Sequence, residues 1–242
     1  MLIETNAIVL STLKYGDSSL IARCYCEELG LKSFLLKGIL SSKKAGLKKS
    51  LFQPLSLIRL ITQVKNENSE GLYYIKEARI HFPLIEIPSD IKKNAVVLFL
   101  SEVLTRVITE EGAPNPSLYH FIQKNVIHLE AKRFSPLFHL KFMMELSQHL
   151  GFYPNQSEME ENYFDLESGC FCGASPSKYL IGGDLALAFK ELLGTNFDTL
   201  DDISIPNVLR IKVLGVLIDY FNLHLHGFGK IKSVDILHEI FR

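Results

Sequence analysis

The chain has 242 residues, of which 47% are apolar and 22% charged, with a formal net charge of −1. That apolar share supports a packed core and excludes a disordered chain, and the length suits one large domain or two ordinary ones. Four cysteines are too few for a disulfide scaffold, and no apolar run approaches the roughly 18 residues needed to cross a bilayer.

The first third reads as five strands, near Glu4–Thr12, Ser18–Cys26, Gly30–Leu40, Leu51–Val64 and Leu72–Phe82. Turns fall at Tyr15-Gly16-Asp17, Leu29-Gly30 and Asn66-Glu-Asn-Ser-Glu-Gly71. In the second strand Leu20, Ala22, Cys24 and Cys26 alternate with Ile21, Arg23 and Tyr25, so one face is apolar and the other offers a base and an aromatic. Five strands in about eighty residues match the size of an OB-type barrel, with an SH3-like barrel as the nearest competitor.

One segment interrupts the strands. Lys37-Gly-Ile-Leu-Ser-Ser-Lys-Lys-Ala-Gly-Leu-Lys-Lys-Ser50 holds five lysines in fourteen residues and no acid. Residues 1–80 carry five more bases than acids and the remainder six more acids than bases, so the neutral total conceals a basic N-terminal third. Such asymmetry points to nucleic-acid contact by one part of the chain. A lysine run alone is more often a solvated loop; on a small barrel it suits a polyanion, because each phosphate contact releases condensed counterions. The candidate DNA-binding residues are Lys14, Arg23, Lys32, Lys37, Lys43, Lys44, Lys48, Lys49 and Arg59. Tyr15 and Tyr25 are candidate base platforms, and Phe34 reads as barrel core. Lysines hold phosphates without reading bases, so the binding should be largely sequence-independent.

After Phe82-Pro83 the period becomes helical. Pro88-Ser89-Asp90 introduces a helix with Ser89 as N-cap, ended by Gly112 and Pro114. Two apolar stripes, Ile91/Ala95/Leu98/Phe99 and Val96/Leu100/Val103/Val107, predict burial around most of it. Further helices are expected at Pro116–Leu129, Ser135–Leu150, Gly183–Leu193, Pro206–His226 and Val234–Phe241, the fourth being apolar nearly all round and hence the central one. Residues 152–182 look irregular. The expected fold is α+β: an OB-type domain at 1–82, then a mostly helical domain at 83–242 with an irregular insert near 152–182.

Catalytic constellations are missing: the chain has no Gly-x-Gly-x-x-Gly, Gly-x-x-x-x-Gly-Lys-Ser/Thr, Gly-x-Ser-x-Gly or His-Glu-x-x-His. His224 and His226, two apart on a helix, point to different faces. Cys24 and Cys26 read as small buried hydrophobes. Cys170 and Cys172 are one residue apart with no second pair in reach, short of the four ligands of a structural zinc site. No metal, cofactor or enzymatic activity is expected.

The run Ala7-Ile-Val-Leu-Ser-Thr-Leu-Lys-Tyr-Gly-Asp-Ser-Ser-Leu-Ile21, with Glu28-Leu-Gly-Leu31 and Lys37-Gly38, resembles the start of the RecO family of bacterial recombination mediators. Leu51-Phe-Gln-Pro-Leu-Ser56, Leu146-Ser-Gln-His-Leu-Gly-Phe152 and His226-Gly-Phe-Gly-Lys-Ile-Lys-Ser233 with Leu237 resemble the same family in the same order. The resemblance covers essentially the whole chain. It implies an OB-fold joined to a helical domain and a non-catalytic role, in a chain whose lack of a spanning run, lack of a signal-like start and sparse cysteines read as cytoplasmic. That role is to bind single- and double-stranded DNA, anneal complementary strands and help load the recombinase on DNA coated by single-stranded-DNA-binding protein. It implies two partners, RecR and the acidic-apolar C-terminal tail of the single-stranded-DNA-binding protein. Phe138, Lys141 and Phe142 share a helical face where the resemblance places a basic residue, and are the candidate tail site. Many family members carry two Cys-x-x-Cys pairs; here only Cys172 falls on a ligand position. An RNA-binding OB protein and a structural adaptor are the alternatives, the former explaining the basic loop but not the helical half.

Overall fold

A computed structural model describes residues 1–41, 48–63, 71–108, 113–174 and 176–241. They form two compact units, Met1–Lys132 and Arg133–Arg242.

In the first unit, β1 (Leu2–Tyr15), β2 (Ser19–Cys26), β3 (Gly30–Leu36), β4 (Leu57–Gln63) and β5 (Tyr73–Phe82) close into a barrel of order β1-β2-β3-β5-β4. β1 pairs antiparallel with both β2 and β4, and a short parallel contact, Phe34 opposite Tyr73 and Leu35 opposite Tyr74, completes the ring. This is the OB-type arrangement, not the SH3-like competitor. Ala7, Val9, Ala22, Cys24, Cys26, Phe34, Ile58 and Leu60 fill the interior. Cys24 and Cys26 are the small buried hydrophobes expected; burial pushes the Cys24 thiol up to about 12.

The register of β1 slips between Val9 and Ser11, so Leu10 is an extra residue in the ladder. A bulge leaves a backbone carbonyl without a strand partner. The Ser101 hydroxyl donates to that carbonyl from α2 (Ile91–Val107). α3 (Pro116–Ala131) starts at Asn115, whose side chain accepts from Leu118 N at 3.0 Å. Helix α2 is capped by Asp90, which accepts from Lys92 N and Lys93 N at 2.8 and 3.2 Å. The cap is therefore one residue beyond the expected Ser89, whose hydroxyl instead donates to Glu86 O. Of the expected α2 stripes, Ile91 and Leu98 are exposed. The change of period near residues 82–89 is where strand gives way to helix; the compact unit runs on to Lys132.

The turn that leaves the barrel, α1 (Glu86–Ser89), begins at Ile85, whose side chain has no capping oxygen. The buried Glu130 of α3 supplies one: its carboxylate accepts from Ile85 N, Glu86 N and Ile87 N at 2.7, 2.8 and 3.0 Å. The buried Lys93 ammonium donates to the Glu130 backbone carbonyl at 3.0 Å.

The second unit contains α4 (Phe138–His149), α5 (Gly183–Gly194), α6 (Asn207–His224) and α7 (Val234–Ile240). Tyr220 and Phe221 of α6 are buried, and Tyr220 donates to Phe152 O at 2.7 Å; in the first turns Val208 and Ile211 are exposed. The segment expected to be irregular carries a sheet of order β7-β6-β8, from β6 (Tyr163–Asp165), β7 (Cys170–Cys172) and β8 (Leu180–Gly182). Phe164 faces Phe171 and Ile181 across it and packs on Phe189 of α5 at 4.8 Å between centroids. Gly169 precedes β7 with φ +68°, where a Cβ would lie 2.7 Å from the Tyr220 hydroxyl. Three-residue strands are too short to show a period.

Burial raises the pKa of Glu130, but the three N–H groups and then Lys93 outweigh it and hold the carboxyl below its ordinary 4.5. A depressed carboxylate stabilises the fold above its unfolded pKa, and that contribution is lost as pH falls through the folded value. Glu130→Gln, which sets an amide donor against at least one N–H, is expected to cost about 2 kcal/mol in urea unfolding near neutral pH. The gap from the parent protein should narrow below pH 4.5. A gap independent of pH would show that the carboxylate charge is not what caps α1.

Candidate nucleic-acid interface

The pairing registers arrange the outer face of β1, β2 and β3 in rows. Ile8, Tyr25 and Leu31 form the first, and all three are buried. Tyr25 donates to Asn115 O at 3.2 Å and its ring lies 6.2 Å from that of Tyr119, so α3 covers it. Burial raises its phenol pKa, against the lowering effect of that hydrogen bond. Tyr25 is thus a packing residue and not an open base platform.

The next row, Ser11–Arg23–Ser33, is polar. Beyond it runs Leu13–Ile21–Leu35–Tyr74, which crosses four strands, and then Tyr15 opposite Ser19. Lys37 follows at the end of β3, where Gly38 N donates to the Ser19 hydroxyl at 3.3 Å. Leu13, Tyr15 and Tyr74 are 68%, 52% and 53% exposed. The adjacent residues Tyr73 and Tyr74 divide by strand alternation. Tyr73 packs inward on Phe34 at 6.0 Å between centroids, and Tyr74 stands outward. Tyr74 escaped the sequence reading, although two tyrosines in succession on a strand must face opposite sides.

The seven candidate cations among the described residues differ in their surroundings. Arg23 and Lys37 lie on either side of the apolar row. Lys14 is exposed beside Leu13 at the end of β1. Lys48 and Lys49 are exposed at a 3-10 turn, Lys49–Phe52, that leads into β4. Lys32 is half-buried, with its ammonium 5.6 Å from the centre of the Tyr73 ring. Arg59 is paired with Glu4 at 3.4 Å, and Arg79 reaches the same carboxylate oxygen at 3.2 Å. Lys43 and Lys44 lie outside the described residues.

In the second unit the expected face is present but turned inward. Phe138 and Phe142 are buried, and Lys141 is 1% exposed. Its ammonium donates to Leu192 O and Leu193 O at the end of α5, at 3.2 and 3.3 Å, and meets Glu145 Oε1 at 2.6 Å. The expectation of Lys141 as a cation on a pocket rim is corrected: the side chain is enclosed, because the carbonyls of a helix C-terminus attract a cation.

Cys170 and Cys172 are half-buried on β7. Among the described residues no group of three or more His, Cys, Asp or Glu is arranged to hold a metal ion. Burial and then Asp165, Glu161, Cys170 and Glu158 raise the Cys172 pKa, which disfavours the thiolate that zinc requires. The residues present do not fit the zinc site of the two-pair pattern.

Models of two families match the chain: "Recombination protein O N terminal" over residues 1–83 and "Recombination protein O C terminal" over residues 88–234. The chain is similar to the DNA repair protein RecO of Christiangramia forsetii, at 36% identity over 242 residues. It is also similar to the RecO proteins of Flavobacterium johnsoniae, at 39% over 241 residues, and of Bacteroides fragilis, at 38% over 245. Each comparison covers 100% of both chains.

Lys141→Met keeps the aliphatic stem but leaves Glu145 and the two α5 carbonyls without their cation. The variant is expected to lose about 2 kcal/mol of stability in the second unit, read by urea unfolding. Stability equal to that of the parent protein would mean the ammonium contributes nothing to packing α4 on α5.

Proposed function

Because the chain belongs to the RecO family of DNA repair proteins, we propose that it acts in the cytoplasm as a non-catalytic recombination mediator. In this reading it binds single- and double-stranded DNA through the barrel, anneals complementary strands and helps load the recombinase onto DNA coated by single-stranded-DNA-binding protein. The observation that carries the DNA-binding step is the acid-free segment 37–50 with its five lysines. It falls in the chain between β3 and β4 of an OB-type barrel whose outer face carries Arg23 and Lys37 together with the exposed Leu13, Tyr15 and Tyr74. A polyanion gains from that charge by releasing counterions, and annealing benefits when phosphates on two strands are neutralised together.

Contact with RecR and with the acidic-apolar tail of the single-stranded-DNA-binding protein belongs to the same proposal and rests on family membership. Phe138, Lys141 and Phe142 are not offered for the tail, since all three are buried. The zinc-free reading of this member rests on the cysteine spacing; metal analysis should find well under one zinc per chain, and stoichiometric zinc lost on mutating Cys172 overturns it.

The main test is a titration of labelled DNA at several salt concentrations, with and without Ala at Lys43, Lys44, Lys48 and Lys49. Binding should weaken alike across sequences, and the slope of log affinity against log salt should flatten by somewhat under one, about 0.7 to 0.9, per lost phosphate contact. Unchanged affinity and slope exclude these lysines from the interface. Stronger binding to RNA without strand annealing favours the RNA-binding alternative.

A further inference from the structure

Most outward residues of a water-facing strand are polar, but the outer face of β1, β2 and β3 carries two apolar rows among the described residues. The apolar row Ile8–Tyr25–Leu31 is buried, and Ser11–Arg23–Ser33 is polar. Leu13–Ile21–Leu35–Tyr74 is apolar: Leu13 and Tyr74 at its ends are 68% and 53% exposed, while Ile21 is half-buried and Leu35 buried. Tyr15, in the following row, adds a second exposed ring on β1, three strands from Tyr74.

We propose that this row, with Tyr15 and Tyr74 at its ends, is a platform for the unstacked bases of single-stranded DNA, flanked by Arg23 and Lys37 as phosphate contacts. The proposal rests on the DNA-binding reading above. It adds which residues meet the bases and which form of DNA they select.

Three observations choose this occupant. The rows on either side supply a guanidinium and an ammonium, and no acid stands among the residues of the three rows. The nearest acid along the chain is Asp17, in the turn beyond Tyr15. Neighbouring strands lie about 4.8 Å apart, so the row follows an arc of roughly 14 Å around the closed barrel, and a base meets it at Leu13 and Tyr15 or at Tyr74. Phosphates held by Arg23 or Lys37 leave their bases beside the half-buried Ile21, with the exposed rings of Tyr15 and Tyr74 toward either side. A duplex hides its base faces in the stack and gains only the phosphate contacts, whereas each unstacked base offers a π-face to a ring or an aliphatic surface. The platform consequently discriminates between strand forms and not between sequences.

The test is fluorescence anisotropy with a labelled oligo-dT and with a duplex of equal length, each at several salt concentrations. It compares the parent protein, the Tyr15→Ala/Tyr74→Ala double variant and the Tyr15→Phe/Tyr74→Phe double variant. Both rings are half exposed, so neither variant removes core. The Ala variant is expected to bind oligo-dT roughly five- to tenfold more weakly and the duplex less than twofold more weakly. Its salt slope should be unchanged, because a tyrosine releases no counterion. The Phe variant, which keeps the rings and loses the hydroxyls, should bind as the parent does. Equal loss on both DNAs, no loss on either, or failure of the Phe variant to restore oligo-dT binding overturns the platform while leaving barrel DNA binding in place. A parent protein that binds neither DNA at low salt overturns both.

Discussion

Each unit depends on a buried charge that meets the end of a helix. In the first, the Glu130 carboxylate takes the three N–H groups that start α1, and Lys93 closes on the carbonyl of the same residue. In the second, the Lys141 ammonium takes the last carbonyls of α5 and the Glu145 carboxylate. A buried ion is tolerated only when paired and hydrogen-bonded, so these contacts restrict how the helices pack. Apolar stripes alone would let α2 and α3 slide or turn against the barrel. A carboxylate that must reach three successive amides removes that freedom.

That restriction decides what the barrel can present. Seating α3 places Tyr119 against Tyr25 and brings the Asn115 carbonyl to its hydroxyl, which covers one end of the β1-β2-β3 face. The bulge at Leu10 assists, because it turns a carbonyl toward Ser101 of α2 and shifts the register of every residue after it. Leu13 and Tyr15 consequently lie on the outer face with Ile21, Leu35 and Tyr74. Leu13, Tyr15 and Tyr74 stay exposed on that face.

The cations follow a different logic. Arg59 and Arg79 share the Glu4 carboxylate, and Lys32 lies against the Tyr73 ring. These side chains hold strands together across the barrel surface, whereas Lys14, Lys37, Lys48 and Lys49 stand exposed. The proposed DNA contact would draw on the exposed lysines rather than on the cations already paired within the barrel.

Much of the fold was determined by the sequence alone. Period-2 alternation at Leu20–Cys26, the turns at Gly16 and Gly30, and the later helical stripes suffice for five strands followed by helices, because each reports on a few neighbouring residues. The acid-free lysine run needed only counting. What the tertiary structure decided is which side of each element is covered. Arg23 and Tyr25 lie on the same side of β2, yet α3 buries the tyrosine and leaves the arginine half-buried. Phe138, Lys141 and Phe142 do share a helical face, but local spacing cannot tell a rim from a core, and α5 encloses them. Tyr74 acquires its place only through the pairing of β3 with β5, whose strands are separated in the chain by all of β4. Such long-range pairings leave no periodic trace in the residues they join, so the row of side chains they create exists only in the folded barrel.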